Sequence, residues 1–210
     1  MDANNKTHKR EEKESGFSAI ERMHPFKTVM FLGLVGSTVM FLSFSFLYFV
    51  TINRSGIPES FVFPKIFTVS TVLMLVSSYF MSGISKAFRN DSVFNLRISL
   101  SATLALGTLF CLTQAYGLFQ MYEAGFFINS NVGVAYLYVI TGIHLLHVAG
   151  GIIFLSVLAF DIFFSTGDAV KSLLYFSNGN HLTKLQLASV YWHFIDVLWV
   201  LLFFLFLFSF

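Results

Sequence analysis

The stretch VGVAYLYVITGIHLLHVAGGIIFLSVLAF (Val132–Phe160) runs for 29 residues without one Asp, Glu, Lys or Arg. As a helix rising 1.5 Å per residue it is about 43 Å long, more than the roughly 30 Å hydrocarbon core of a bilayer. A strand crossing the same core needs only about ten residues, alternating in polarity. The stretch reads as a membrane-spanning helix, because a helix pairs its backbone N–H and C=O groups within one segment and leaves none bare in lipid. Four further apolar runs, each with a single charged residue, flank it at about Phe26–Ile52, Pro64–Ile84, Leu96–Leu118 and Leu187–Phe210. The expected fold is all-α, a polytopic membrane protein of five transmembrane helices in a domain covering 23–210. Pro25 and Pro64 suit helix starts, where a missing N–H leaves no bond unmade.

Charge supports this reading. Of the whole chain 56% is hydrophobic and 11% charged, against about 25% charged in soluble domains. Ten of the 24 Asp, Glu, Lys and Arg residues crowd into the first 25 positions. Residues 1–22 read as a polar, flexible cytoplasmic tail, with no short apolar run and cleavage site of a signal peptide. The charge-poor body excludes a soluble enzyme, and a net charge of +2 leaves no basic face for nucleic acid. Eleven Lys and Arg residues fall on the side of the tail and the second and fourth loops, against Arg54 and Lys65 on the other. Positive charge stays inside, so the N-terminus is expected inside and the C-terminus outside.

Ionisable groups at membrane depth are expensive, so each one raises a functional question. His144 and His147, three apart in GIHLLHVAGG (Gly142–Gly151), share a helix face. They could ligate haem or copper, or bond a neighbouring helix or a lipid headgroup. The small residues around them suit close packing. His193 and Asp196 stand in YWHFIDVLW (Tyr191–Trp199), next to Trp192. An Asp one turn from a His can fix the imidazole tautomer, either within a proton relay or as a packing bond. With a helix starting at Leu187, His193 lies roughly 9 Å from the inner end, His147 roughly 20 Å and His144 roughly 24 Å. This offset argues against one haem shared between the two helices. Gln114 has the capacity to bond across helices. Lone Cys111 can form neither a disulfide within the chain nor a thiolate metal cluster. No catalytic, cofactor-binding or metal residue is assigned. His144, His147, His193, Asp196, Gln114 and Trp192 are structural or lipid-contact candidates.

Two motifs carry a resemblance. TGIHLLHVAGGIIFL (Thr141–Leu155) and YWHFIDVLWVLLFFL (Tyr191–Leu205) resemble subunit III of haem-copper oxidases of the cytochrome c oxidase type. Gln114, Gly125 and His24-Pro25-Phe26 are further echoes, and the likeness covers about residues 23–210. It implies a five-helix bacterial member in the cell inner (plasma) membrane. Such a member is the non-catalytic subunit III of a proton-pumping terminal oxidase passing electrons from cytochrome c to O2. It packs against oxidase subunit I and supports that subunit's stability and proton uptake. The resemblance implies no cofactor in this chain, haem and copper in subunit I, and bound phospholipid. Many members have seven helices, and many carry a buried Glu where this chain has Ser37 and Thr38. The alternatives are subunit III of a quinol oxidase or nitric-oxide reductase and, from another class, a small membrane transporter or channel.

Overall fold

A computed structural model describes residues 25–56, 64–177 and 179–209, so the tail assigned to residues 1–22 lies outside the described residues. Among the described residues the regular structure is entirely helical. It comprises α1 (Pro25–Ser55), α2 (Ile66–Arg89), α3 (Val93–Glu123), α4 (Val132–Ser165), α5 (Ala169–Ser177) and α6 (Gly179–Leu207). Five of the six, all except the nine-residue α5, are long and apolar enough to cross a membrane.

The chain divides into two compact units, residues 1–39 and 40–210, and α1 runs through the division. In the first unit, the described residues are the opening half of α1. Thr38 Oγ1–H donates back to Leu34 O there at 2.8 Å, which satisfies the hydroxyl within its own helix. In the second unit α2, α3, α4 and α6 form a ring, each lying against two others in the order α2, α3, α4, α6 and back to α2. The second half of α1 adds Phe41, edge-on to His147 at 5.3 Å, and Tyr48, edge-on to Phe206 at 5.3 Å.

The helices outrun the apolar stretches that announce them. Hydropathy marks only the part of a helix that sits in hydrocarbon, whereas the backbone pattern continues through the polar ends. Thus the span expected at 64–84 runs to Arg89, and the one expected from Leu96 begins at Val93. Only Asn90–Ser92 separate these helices, with Asp91 in the left-handed region at φ 50° and Ser92 N–H bonded to Ala87 O at 3.0 Å. Gly125 does the same after α3 at φ 85°, followed by Phe126 N–H to Met121 O at 3.0 Å. The largest departure is the connection expected over Asp161–Gln186. α4 continues to Ser165, α5 occupies Ala169–Ser177 and α6 starts at Gly179, eight residues before Leu187.

Large apolar side chains point outward over most of the length, among them Phe46, Leu146, Ile153 and Phe160. Against hydrocarbon this is no penalty, and it removes water as the force that holds the helices together. Close packing and hydrogen bonds between helices carry that task instead.

At the end of α4 the helix is closed from a neighbour. Arg97 of α3 donates through Nη2 to Thr166 O at 3.1 Å, Thr166 Oγ1 at 2.9 Å and Phe163 O at 3.2 Å. Its guanidinium also lies 4.9 Å from the centre of the Phe163 ring. A cation at the last carbonyls answers the negative end of the helix dipole. Beside it, His181 Nδ1 stands 3.4 Å from Asp161 Oδ2, and the Tyr175 and His181 rings lie 4.0 Å apart. Burial first, and then the Asp161 carboxylate, push the Tyr175 hydroxyl above its usual range, so it stays protonated at neutral pH. Arg97→Gln is expected to loosen this end by about 1 kcal/mol. Faster amide hydrogen exchange confined to 160–166 checks it, and unchanged exchange there contradicts it.

Candidate functional site

The polar residues of the spans gather along α6. At 3.6 residues per turn, Trp192, Asp196, Trp199 and Phe203 fall on one stripe, and all four are buried. This stripe faces the middle of the ring. Trp192 donates through Nε1–H to Ser77 Oγ of α2 at 2.9 Å. Its six-membered ring lies over Gly107 of α3, where a Cβ would come within 2.6 Å of Cη2 and 2.9 Å of Cζ2. A Cβ on Gly151 of α4 would meet Cζ3 of the same ring at 3.2 Å. One side chain thus touches all three other helices of the ring, and two glycines make room for it. Two turns on, Trp199 Nε1–H donates to Thr71 Oγ1 of α2 at 3.0 Å. Its ring stacks on His144 of α4 at 5.0 Å and meets Phe110 of α3 edge-on at 5.4 Å.

A seam of hydroxyls on α2 receives these donors. Ser70 Oγ accepts from Gln114 Nε2–H of α3 at 2.8 Å, and Ser78 Oγ is 2.8 Å from His193 Nδ1. Asp196 lies behind this pair, its Oδ2 3.8 Å from His193 Nδ1. Four of the six candidates, Gln114, Trp192, His193 and Asp196, therefore meet along α2. The other two stand apart. His144 is enclosed by the rings of Trp199, Phe110 and Phe41, and neither of its ring nitrogens has a hydrogen-bond partner among the described residues. His147 Nδ1–H donates to Ile143 O of its own helix at 2.9 Å, and its carbonyl accepts from Tyr191 O–H at 3.0 Å.

The expected depth offset between the histidines needs correction. It assumed that α6 starts at Leu187, whereas the helix starts at Gly179. A Cβ on Gly151 would meet Tyr191, Trp192 and Ile195 within 3.3 Å, and His144 lies against Trp199. By this register His193 is level with Gly150, roughly 5 Å from the level of His147 and roughly 9 Å from that of His144. Direction separates them instead: His193 turns to Ser78 on α2, while His144 turns to aromatic rings. Among the described residues no three His, Cys, Asp or Glu side chains gather closely enough to hold a metal ion.

Trp199, Gly107, Ser70, Thr71, Ser77 and Ser78 join the site only in the structure. A signal was there. Ser70 and Ser77, Thr71 and Ser78, and Trp192 and Trp199 each recur at seven residues, the spacing that returns a helix to nearly the same face. The small residues of α4 also divide. Gly150 and Gly151 admit side chains of α6, whereas a Cβ on Gly142 would find nothing within 4 Å.

The profile of the family described as cytochrome c oxidase subunit III matches residues 9–210. Cytochrome c oxidase subunit 3 of Bacillus subtilis is 32% identical over 179 residues, covering 83% of this chain and 80% of the relative. The subunit 3 of Corynebacterium diphtheriae is 32% identical over 136 residues, 64% of this chain and 61% of the relative. That of Sus scrofa is 33% identical over 136 residues, 62% of this chain and 47% of the relative. Against several of these curated relatives the chain spans about half to three fifths of their length. With five apolar spans and a match over nearly its whole length, this multi-pass membrane chain belongs to the cytochrome c oxidase subunit III family.

Proposed function

We propose that the chain is a non-catalytic subunit of a proton-pumping terminal oxidase that passes electrons from cytochrome c to O2. It packs against subunit I, which carries the haem and copper, and supports that subunit's stability and proton uptake. The complex sits in the cell inner membrane. The end of the bundle bearing Lys86, Arg89, Arg97 and Lys184 faces the cytoplasm, and phospholipid fills the grooves between chains. The observation that supports this reading best is the filled centre of the bundle. Trp192 and Trp199 occupy the place where a bundle would hold a cofactor, and Gly107 and Gly151 fit the Trp192 ring. Asp196, Gln114, Trp192 and His193 are engaged in or beside contacts between helices, and His144 is enclosed by rings.

The test is purification of the tagged chain from native membranes in mild detergent. A haem-bearing chain is expected with it at equal stoichiometry, with a Soret band that leaves with that partner when the two are separated. Recovery of the tagged chain alone contradicts the assignment. A stoichiometric Soret band on the separated chain, lost in His144→Ala or His193→Ala, contradicts the absence of a redox centre.

A further inference from the structure

His193 is the fifteenth of 29 residues in α6, and its partner Ser78 is the thirteenth of 24 in α2. The apolar stretches of the two helices run over 187–210 and 64–84, so both residues lie six positions, roughly 9 Å, inside the hydrocarbon from its inner end. The imidazole is nevertheless 38% exposed on the outer face of the bundle, while Asp196 behind it is only 4% exposed. Nδ1 is taken by Ser78, at 2.8 Å, with the Asp196 carboxylate 3.8 Å away. Nε2 has no hydrogen bond among the described residues. If Ser78 O–H donates to Nδ1, Nε2 carries a proton to give; if Nδ1 is protonated, Nε2 accepts or, in the cation, gives. Every tautomer leaves a ring nitrogen directed away from Ser78 that hydrocarbon cannot satisfy.

Around it, small polar residues line the edges of two helices, with Tyr79, Val190 and Val197 exposed beside them. Ser78, Ser82 and Ser85 follow one another at one helical turn on α2, and Gln186, Ser189 and His193 do so on α6. Small hydroxyl-bearing positions let a foreign helix approach closely, and the hydroxyl of Ser82 is already bonded to Tyr79 O at 2.8 Å. Ser85 and Gln186 lie outside the apolar stretches, and His193 is the ionisable member of those that lie within them.

We infer that His193 is a docking contact for a transmembrane helix of the partner oxidase subunit, which brings a hydrogen-bonding side chain to Nε2 within the hydrocarbon. The partner side chain is a hydroxyl, an amide or a carboxyl. Asp196 and Ser78 are positioning residues that hold the ring toward the groove between α2 and α6. This inference rests on the proposed oxidase assignment.

A photoreactive benzoylphenylalanine at position 193, with one at Leu146 as control, tests it in the assembled complex in native membranes. Cross-linking from position 193 to a transmembrane segment of the haem-bearing subunit, identified by mass spectrometry, is expected, with none from Leu146. A second arm compares His193→Leu with His193→Gln, each checked for wild-type helicity. His193→Leu is expected to lower co-purification of the haem-bearing subunit roughly threefold to twentyfold, the range one buried interhelical hydrogen bond supports. His193→Gln restores most of it. Cross-links only to lipid or to a second copy of the chain, or full retention of the partner by folded His193→Leu, overturn the inference. Failure of the wild-type chain to bring down any haem-bearing subunit contradicts instead the oxidase assignment on which it rests.

Discussion

Trp192→Ala is expected to destabilise the bundle by about 3 kcal/mol, from a residual cavity of about 140 Å³ at about 24 cal/mol per Å³. In lipid an exposed ring meets hydrocarbon rather than water, so the transfer term that adds to such losses in soluble proteins largely drops out. What remains is the lost contact, and here it is lost to three helices at once. The ring sits at 0% exposure, bonded to Ser77 and pressed on the positions of Gly107 and Gly151. Collapse into the hole would have to move helices on opposite sides of the ring together. Titration of the purified chain from mild detergent into sodium dodecyl sulfate, followed by circular dichroism, reads the effect. Ser77→Ala removes the Nε1 bond without the cavity and should lose about 0.6 kcal/mol. Equal losses in the two variants would show that the hydrogen bond, not the packing, holds this centre.

Gly107→Val tests the same place from the other side and is expected to lose about 2 kcal/mol by overpacking. A Cβ there would stand 2.6 and 2.9 Å from two carbons of the Trp192 ring, which is held by Ser77 and cannot swing aside. Gly142→Val is the control, since a Cβ there meets nothing within 4 Å, and it should be close to neutral. Replacing Trp192 by Phe removes the carbons that collide. The double variant Gly107→Val with Trp192→Phe is therefore expected to lose less than the sum of its parts, a coupling that distant sites do not show. Additive losses would mean that Gly107 is constrained by something other than this ring.

The spans were legible because hydrocarbon imposes one rule on every residue it contains. Val132–Phe160, with no charged side chain, has one stable way to cross it, and the same holds for the four other apolar runs. Helix ends were less legible, since Lys86, Arg89 and Arg97 continue helices into a region that hydropathy cannot distinguish from loop. The start of α6 at Gly179 and the end of α4 at Ser165 show the consequence: ends eight and five residues off misplaced His193 against His147 by about four residues and made distance look like the reason it avoids His144.

Among the site residues, the chemistry of each was evident from its type, and its partner was not. That Asp196, His193, Trp192 and Gln114 needed company followed from their polarity in an apolar run. That the company is Ser78, Ser77 and Ser70 depends on how α2 lies against α3 and α6. Five membrane-spanning helices and the family resemblance were both readable from the residues alone. Both follow from local composition and contiguous motifs. Which face of each helix turns inward comes from the packing, because four of the five apolar helices, all except α2, lack a strong polar side to orient them. The inward faces are set by a few shape and hydrogen-bond matches, Trp192 over Gly107 and Trp199 on Thr71, that exist only once the helices meet.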